Sequence, residues 1–372
     1  MFVIRQANLE DAPTLLKLAK MVHSNNLPAD PDILRTKLLR SRESFLGKAR
    51  TPLEREFVFA LEDIDSGNMI GTSQIISCIS SPGRPHLYFL VRKREHFSED
   101  LATGHVHVTL QLSTDETGPS EIGGLILQPA YRGHKGKLGV LLSLIRFQFM
   151  ALHPEWFSQR IIAEMAAPLT PDSRNTLWEY LGRRFINLEY AEADRFCRQS
   201  KEFITSLFPK GEIYASLLPP EARNLIGRVS PEAQPAKAML EGLGFHYLGH
   251  CDPFDGGPYL EANLAEIPLV MNTRVLKLGG PAREYPVEGF AGFTGASGFR
   301  AVRTRYAQMD NEEGVSIPPE QAALIGAQVG DAIAVTPRSS VKFAVAVAES
   351  SRAGARTSLP APATTSAKQA AS

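Results

Sequence analysis

Cysteine is scarce in this chain. Only Cys78, Cys197 and Cys251 occur in 372 residues. An odd count at wide spacing argues against a disulfide framework and against a structural zinc site. Net charge is absent too, since 40 Lys+Arg balance 40 Asp+Glu. A balanced chain has no global field to gather nucleic acid or an anionic membrane. No run of about 18 apolar residues occurs, and no basic segment followed by an apolar one opens the sequence. Membrane spanning and secretion are therefore not expected, and a reducing cytoplasm is. Internal repeats and heptads are also missing.

What is present is an ordinary globular composition, 43% hydrophobic and 22% charged. Residues 2–5 read as a strand. A helix follows, with Leu15, Leu18 and Val22 on one face and Asn8 as its expected N-cap. A second helix is expected over about 31–42. Residues 56–63 and 69–77 read as a hairpin around Asp65-Ser66-Gly67-Asn68. Residues 82–100 read as irregular and basic. Strands follow at 105–112 and 121–127, then a basic Gly-rich segment, an apolar helix near 140–152 and a strand at 160–165. Broken helices fill about 173–208. A Pro-rich connection and a short helix at 235–241 lead to strands at 244–248 and 259–264. From 272 the pattern changes to short strands between polar turns, with a short helix at 318–325 ended by Gly326. Residues 350–372 lack the apolar residues that offset ordering entropy and read as a disordered tail. The expected division is 1–271, a small β-rich subdomain over 272–349, and the tail over 350–372.

The segment that carries chemistry is Arg132-Gly133-His134-Lys135-Gly136-Lys137-Leu138-Gly139, between a strand and an apolar helix. Glycines let backbone N–H groups converge on a ligand. The helix start adds orphan donors and a partial positive charge. Arg132, Lys135 and Lys137 add cationic donors. Together these suit a pyrophosphate. The pattern lacks the Gly-Lys-Ser/Thr of a P-loop and the glycine spacing of a dinucleotide fingerprint. The competing reading is a basic turn that merely joins strand to helix.

The order of elements around this loop resembles the GNAT acyltransferase fold. That resemblance implies an α/β protein: a GNAT-like core, a mixed twisted sheet flanked by helices, with a small C-terminal β-rich appendage. It puts Arg132, Gly133, Gly136, Lys137 and Gly139 on the pyrophosphate of an acyl-CoA. The backbone of Leu125 and Leu127 would lie along the thioester arm. A more specific resemblance is to the arginine N-succinyltransferase family. It rests on Leu141-Leu142-Ser143, Arg146-Phe147, Ala163-Glu164-Met165, Leu181-Gly182-Arg183-Arg184-Phe185, Ile226-Gly227, Pro235-Ala236, Gly244-Phe245 and above all Phe254-Asp255-Gly256-Gly257-Pro258. It runs from residue 1 to about 338.

The resemblance implies transfer of succinyl from succinyl-CoA to the α-amine of L-arginine, in arginine catabolism. Succinyl-CoA is then a co-substrate, with no permanently bound cofactor, no metal, and no nucleic acid or membrane partner. A homo- or hetero-oligomer is expected. The amine must be neutral to attack, and CoA departs as a thiolate that needs a proton, a free thiol having a pKa of ~8.5. Arginine's guanidinium asks for a planar carboxylate. Glu164 and Asp255 are the leading candidates, with Asp252 and Glu261 beside them. The sequence departs from the family in a slightly longer pyrophosphate loop and, more consequentially, at one residue. A histidine proton donor belongs between Ile-Gly-x-Val and the next Pro, and here Ser230 stands there. A serine hydroxyl does not titrate near neutrality. Two alternatives follow: a non-catalytic or regulatory subunit that binds acyl-CoA or arginine, and an N-acyltransferase for another amine such as ornithine.

Other residues have plainer readings. His105 and His107 alternate on one strand, but no third metal ligand is near in sequence. His134 could touch phosphate or simply face solvent. His246 and His250 flank a strand near Asp252, where one could replace the missing acid. Cys251 reads as a buried thiol. Arg92-Lys93-Arg94 could meet the 3′-phosphate of CoA or form a solvated face.

Overall fold

A computed structural model describes residues 1–21, 27–170, 174–197, 200–309 and 313–340. The expected tail and the last residues of the expected subdomain lie outside them. Among the described residues, fifteen strands form one sheet. They are β1 (Phe2–Gln6), β2 (Glu56–Asp63), β3 (Asn68–Ile76), β4 (His86–Ser98), β5 (Thr103–Asp115), β6 (Ser120–Leu127), β7 (Arg160–Glu164) and β8 (Ile213–Tyr214), then β9 (His246–Cys251), β10 (Pro258–Asn263), β11 (Arg274–Leu278), β12 (Val287–Gly295), β13 (Gly298–Gln308), β14 (Gly314–Ser316) and β15 (Ala332–Pro337). The order across the sheet is β12-β15-β11-β14-β13-β1-β2-β3-β6-β7-β10-β9-β4-β5-β8.

Local chemistry explains the first helices. The Asn8 side chain accepts from the Glu10 and Asp11 amides, and Asp11 reaches back to the Asn8 amide. This capping box starts the turn that leads into helix α1 (Ala12–Ala19). Asp30 caps helix α2 (Pro31–Phe45) through the Asp32 and Ile33 amides. β2 and β3 form the expected hairpin. Residues 82–100 are not irregular. Most of them form β4, which pairs with β5 in an unbroken register from His86↔Asp115 to Ser98↔Thr103.

The expected C-terminal appendage is β-rich and continues the main sheet. β13 pairs antiparallel with β1 through Ile4↔Ala301 and Arg5↔Arg300. The helix Pro319–Ile325 ends at Gly326.

The apolar helix α3 (Leu138–Leu152) is the central packing element. Leu142, Ile145 and Phe149 are buried in one cluster with Phe57, Phe59, Ile122, Ile161 and Ala163. The Phe57 and Phe149 rings meet edge to face at 4.8 Å. Each buried ring adds roughly 1.5–3 kcal/mol by leaving water, so α3 is held rigidly against β3 and β6. No described helix is long and apolar enough to cross a membrane.

Candidate active site

β6 runs between β3 and β7, yet it pairs with β7 only at Ser120↔Ile161 and Glu121↔Ile162. Beyond that point the two parallel strands part. Gly123, Gly124 and Leu125 are partly exposed although their strand is internal to the sheet. On the other side, the β3 pairing jumps from Thr72↔Ile126 to Gln74↔Gly123. Ser73 therefore stands opposite both Gly124 and Leu125, which is a β-bulge. Gly124 has φ 56°, and a Cβ there would meet the Gln74 side chain at 3.0 Å. Bulge and split turn backbone groups of residues 123–127 away from strand pairing, where a ligand can use them.

The basic loop follows directly. Residues 129–131 form a short turn. Gly133 has φ 73° and Lys137 has φ 49°. Lys137 precedes α3 without a side-chain cap. Among the described residues, the Leu138 and Gly139 amides have no acceptor, as expected of a first helical turn. The Arg132, Lys135 and Lys137 side chains are exposed. Tyr131 donates to Asp63 at 3.1 Å, and the Gly136 amide donates to His134 Nδ1 at 3.0 Å. His134 thus braces the loop from within. Arg303 donates to the Gly136 carbonyl at 3.2 Å and pairs with Glu288, which Arg338 also grips at 2.8 Å. The C-terminal strands therefore hold the loop in place.

The two faces of the split differ in charge. Ile122, Ile161 and Ala163 share the α3 cluster, so strand alternation sends Glu121, Ile162 and Glu164 to the opposite face. There Glu164 closes β7 and pairs with Tyr259. Asp252 accepts from the Phe254 and Asp255 amides at 2.7 and 3.0 Å and from Tyr259 Oη at 3.0 Å. Asp255 accepts from the Gly257 amide at 2.7 Å. Gly257 is obligatory, because a Cβ would stand 2.2 Å from the Met165 carbonyl. Burial, then repulsion from Asp252, Glu121 and Asp255, pushes the Glu164 carboxyl well above its usual range. Burial and Asp252 push Asp255 up to about 7. Burial also lowers His86, packed against Tyr259 at 4.8 Å, to about 3. Crowded, desolvated carboxylates favour a cation brought among them.

On the α3 face lies Arg146, 2% exposed. It donates to the Ser143 carbonyl at 3.0 Å, to Ser143 Oγ at 2.6 Å and to the Gly123 carbonyl at 3.3 Å. Burial lowers it to about 9, which leaves it cationic at neutral pH.

Parted parallel strands, a bulge and an amide-rich loop thus meet at the head of a packed helix. The family model for the arginine N-succinyltransferase beta subunit matches residues 2–269. The chain belongs to the arginine N-succinyltransferase family. The arginine N-succinyltransferase of Citrobacter koseri is 36% identical over 292 residues, 77% of this chain and 84% of that one. That of Yersinia enterocolitica is 33% identical over 339 residues, 90% and 97% of the two chains. Subunit AI of the arginine/ornithine succinyltransferase of Pseudomonas aeruginosa superposes with a TM-score of 0.76 at 28% identity, covering 91% of this chain and 98% of its own.

In this family member, Glu164, Asp252 and Asp255 come together, and Ser230 lies beside them. The Ser230 amide donates to the Ala166 carbonyl at 2.8 Å, and the next residue, Ala167, lends its amide to Asp255. Ser230 Oγ accepts from the Ala233 amide at 3.3 Å and so caps a helical turn. Leu125 sits at the bulge. Leu127 pairs with Gly71, and its carbonyl meets Arg132 Nε at 3.4 Å. Gly136 and Gly139 lie in the loop and the first turn of α3.

Several candidates fall elsewhere. Glu261 is bound by Arg160 and by His250 at 2.9 Å, while Arg160 also pairs with Asp115. Burial alone would raise the Glu261 carboxyl, but the His250 and Arg160 contacts bring it to about 2. It is thus committed to a structural ion network, and His250 with it. His246 is exposed, and Cys251 is buried with its thiol pushed well up by burial. His105 and His107 lie on β5, with His96 and Tyr214 near His107. Among the described residues no group of three His, Cys, Asp or Glu is placed to hold a metal. Arg94 and Arg92 pair with Glu212. Tyr259, His86 and the Arg303 clamp carry no mark in the sequence. Their roles depend on which strands are neighbours.

Proposed function

We propose that this chain transfers a succinyl group from succinyl-CoA to the α-amine of L-arginine. The observation that carries this is the split between β6 and β7, with loop amides at one end and buried carboxylates on one face. The pyrophosphate rests on the Leu138 and Gly139 amides, with Arg132, Lys135 and Lys137 around it. The thioester carbonyl takes an amide donor at the bulge, near Leu125, where negative charge develops in the tetrahedral intermediate. Glu164 receives a proton from the α-ammonium. The freed amine attacks the thioester carbon, the N–C bond forms and the C–S bond breaks. The departing thiolate takes the second proton shed by the nitrogen. Asp255 and Asp252 add negative charge for the cationic substrate. Succinyl-CoA as donor is supported by the succinyltransferase relatives in Citrobacter and Yersinia. The arginine/ornithine succinyltransferase of Pseudomonas makes ornithine the second amine to test. That relative and the matching family are both described as subunits, which supports work within an assembly.

Mixing the purified chain with succinyl-CoA and arginine should release free thiol in proportion to arginine. Robust turnover would exclude a purely non-catalytic subunit, and no CoA-dependent turnover with arginine, ornithine or other amines would refute the transfer reaction. Because carboxylates do the proton transfer here, Ser230→Ala should change kcat less than about 3-fold. It should cost about 1 kcal/mol of stability through the lost cap. A large loss of kcat at unchanged stability would return Ser230 to the chemistry.

Arginine affinity should depend on pH. Asp255, at about 7, and Glu164 hold protons that a cationic ligand displaces. Kd for arginine should therefore fall as pH rises through 7, by up to tenfold per unit for each proton released. Calorimetry in buffers of different ionisation enthalpy reads the protons directly, and a pH-independent Kd without proton release would contradict the cluster's role.

A further inference from the structure

Arg146 has a guanidinium without a matching acid among the described residues. The helix around it, Leu-Gly-Val-Leu-Leu-Ser-Leu-Ile-Arg-Phe-Gln-Phe-Met-Ala-Leu, is otherwise almost wholly apolar. Three of its five N–H donors reach Ser143 and the Gly123 carbonyl. Among the described residues no carboxylate pairs with it, and burial disfavours its charge. Arginine is rarely this buried unless paired, and an unpaired buried charge costs stability. An aliphatic side chain would pack there at lower cost.

The position of the guanidinium suggests what completes it. Gly123, its backbone acceptor, lies where β6 loses β7 as a neighbour and becomes partly exposed. A thioester held at the Leu125 amide is two residues away, at most ~7 Å along an extended strand. The carboxyl carbon of a succinyl group lies roughly 4 Å beyond its thioester carbon, across three C–C bonds of ~1.5 Å. The acidic cluster occupies the other face of the split, so the acyl end and the amine end of the reaction are kept apart by charge. We propose that Arg146 recognises the free carboxylate of the acyl group, so that the split selects dicarboxylic acyl-CoA donors over plain acyl ones. This rests on the acyl-transfer reading above. A planar fork meets a carboxylate in two parallel hydrogen bonds, which lysine cannot reproduce.

The experiment compares succinyl-CoA with butyryl-CoA, of equal chain length but without the charge. Wild type, Arg146→Met and Arg146→Lys are assayed for thiol release with arginine, and donor Kd is measured without arginine. Wild type should favour succinyl-CoA at least 100-fold in kcat/KM and at least 30-fold in Kd. In Arg146→Met the ratio should fall to near one, mainly through KM for succinyl-CoA, with Tm held or raised and affinity for free CoA unchanged. Arg146→Lys should restore part of the preference. Equal use and equal binding of both donors by wild type would overturn the proposal, and that comparison stands even if the variants do not fold. A proportional loss of both donors in Arg146→Met would also overturn it. Absence of turnover with either donor would instead count against the transfer reaction, and the Kd ratio would still decide the role of Arg146.

Discussion

Glu164→Gln is expected to lower kcat/KM for arginine by about 10²–10⁴-fold, the usual worth of a positioned proton acceptor, while making the protein more stable above pH 7. The two effects have one cause. Glu164 lies at the end of β7 in a buried acidic cluster, and its carboxyl is held well above the usual range by burial and by Asp252, Glu121 and Asp255. The folded state therefore binds protons that the unfolded chain gives up. Stability falls as pH rises from the unfolded carboxylate value of ~4 towards about 7, the value for Asp255. Glutamine keeps the shape, removes the charge and flattens that dependence. It cannot accept the ammonium proton. CoA binding at the distant loop should not change. Thermal melts from pH 5 to 8 beside steady-state kinetics test both halves. A variant that loses stability at pH 8, or that keeps full activity, would show that Glu164 does not play this part.

What the sequence could reveal follows from how local each feature is. The basic Gly-rich loop is a continuous run of eight residues, so its glycines and cations are visible in the sequence, and the structure places all of it at the head of α3. The Asn8 cap, the β2–β3 hairpin and the Gly326 stop are equally local. The β4 strand is obscured in the sequence because its outer half, Arg92 to Phe97, is exposed on both faces. Without one buried face, no alternation marks a strand, and only pairing with β5 defines it. The acidic site joins Glu121, Glu164 and the Asp252–Asp255 turn, more than a hundred residues apart at the extremes, through the order β6-β7-β10. That order is a tertiary fact. Glu164 and Asp255 can be named as carboxylates from the family resemblance, but only the Arg160 and His250 contacts separate them from Glu261. Arg146 looks in sequence like the one charged interruption of an apolar helix. Its significance is that of a buried cation which no carboxylate among the described residues pairs.

Gly139→Asp should separate fold from function at the other end of the split. The position can take a side chain, since a Cβ would meet nothing nearer than Leu127 Cδ2 at 4.0 Å. Gly139 is the second residue of α3. Replacing glycine inside a helix recovers a few tenths of a kcal/mol, and an acidic side chain in the first turn adds about 0.3–1 kcal/mol by opposing the helix dipole. Tm should therefore be held or raised. The same carboxylate would crowd the amides proposed to hold pyrophosphate, satisfy them internally and repel the ligand's charge. Kd for CoA should rise at least 100-fold, about 2.7 kcal/mol, with a matching loss in kcat/KM for the acyl donor. Arginine binding in the absence of CoA should not change, because the acidic cluster lies on the far strands. Gly139→Ala serves as the control, as it improves the helix without the charge and should lose much less affinity. Equal losses in the two variants would make the effect steric. Unchanged CoA affinity in Gly139→Asp would mean that the phosphates bind somewhere other than the start of α3.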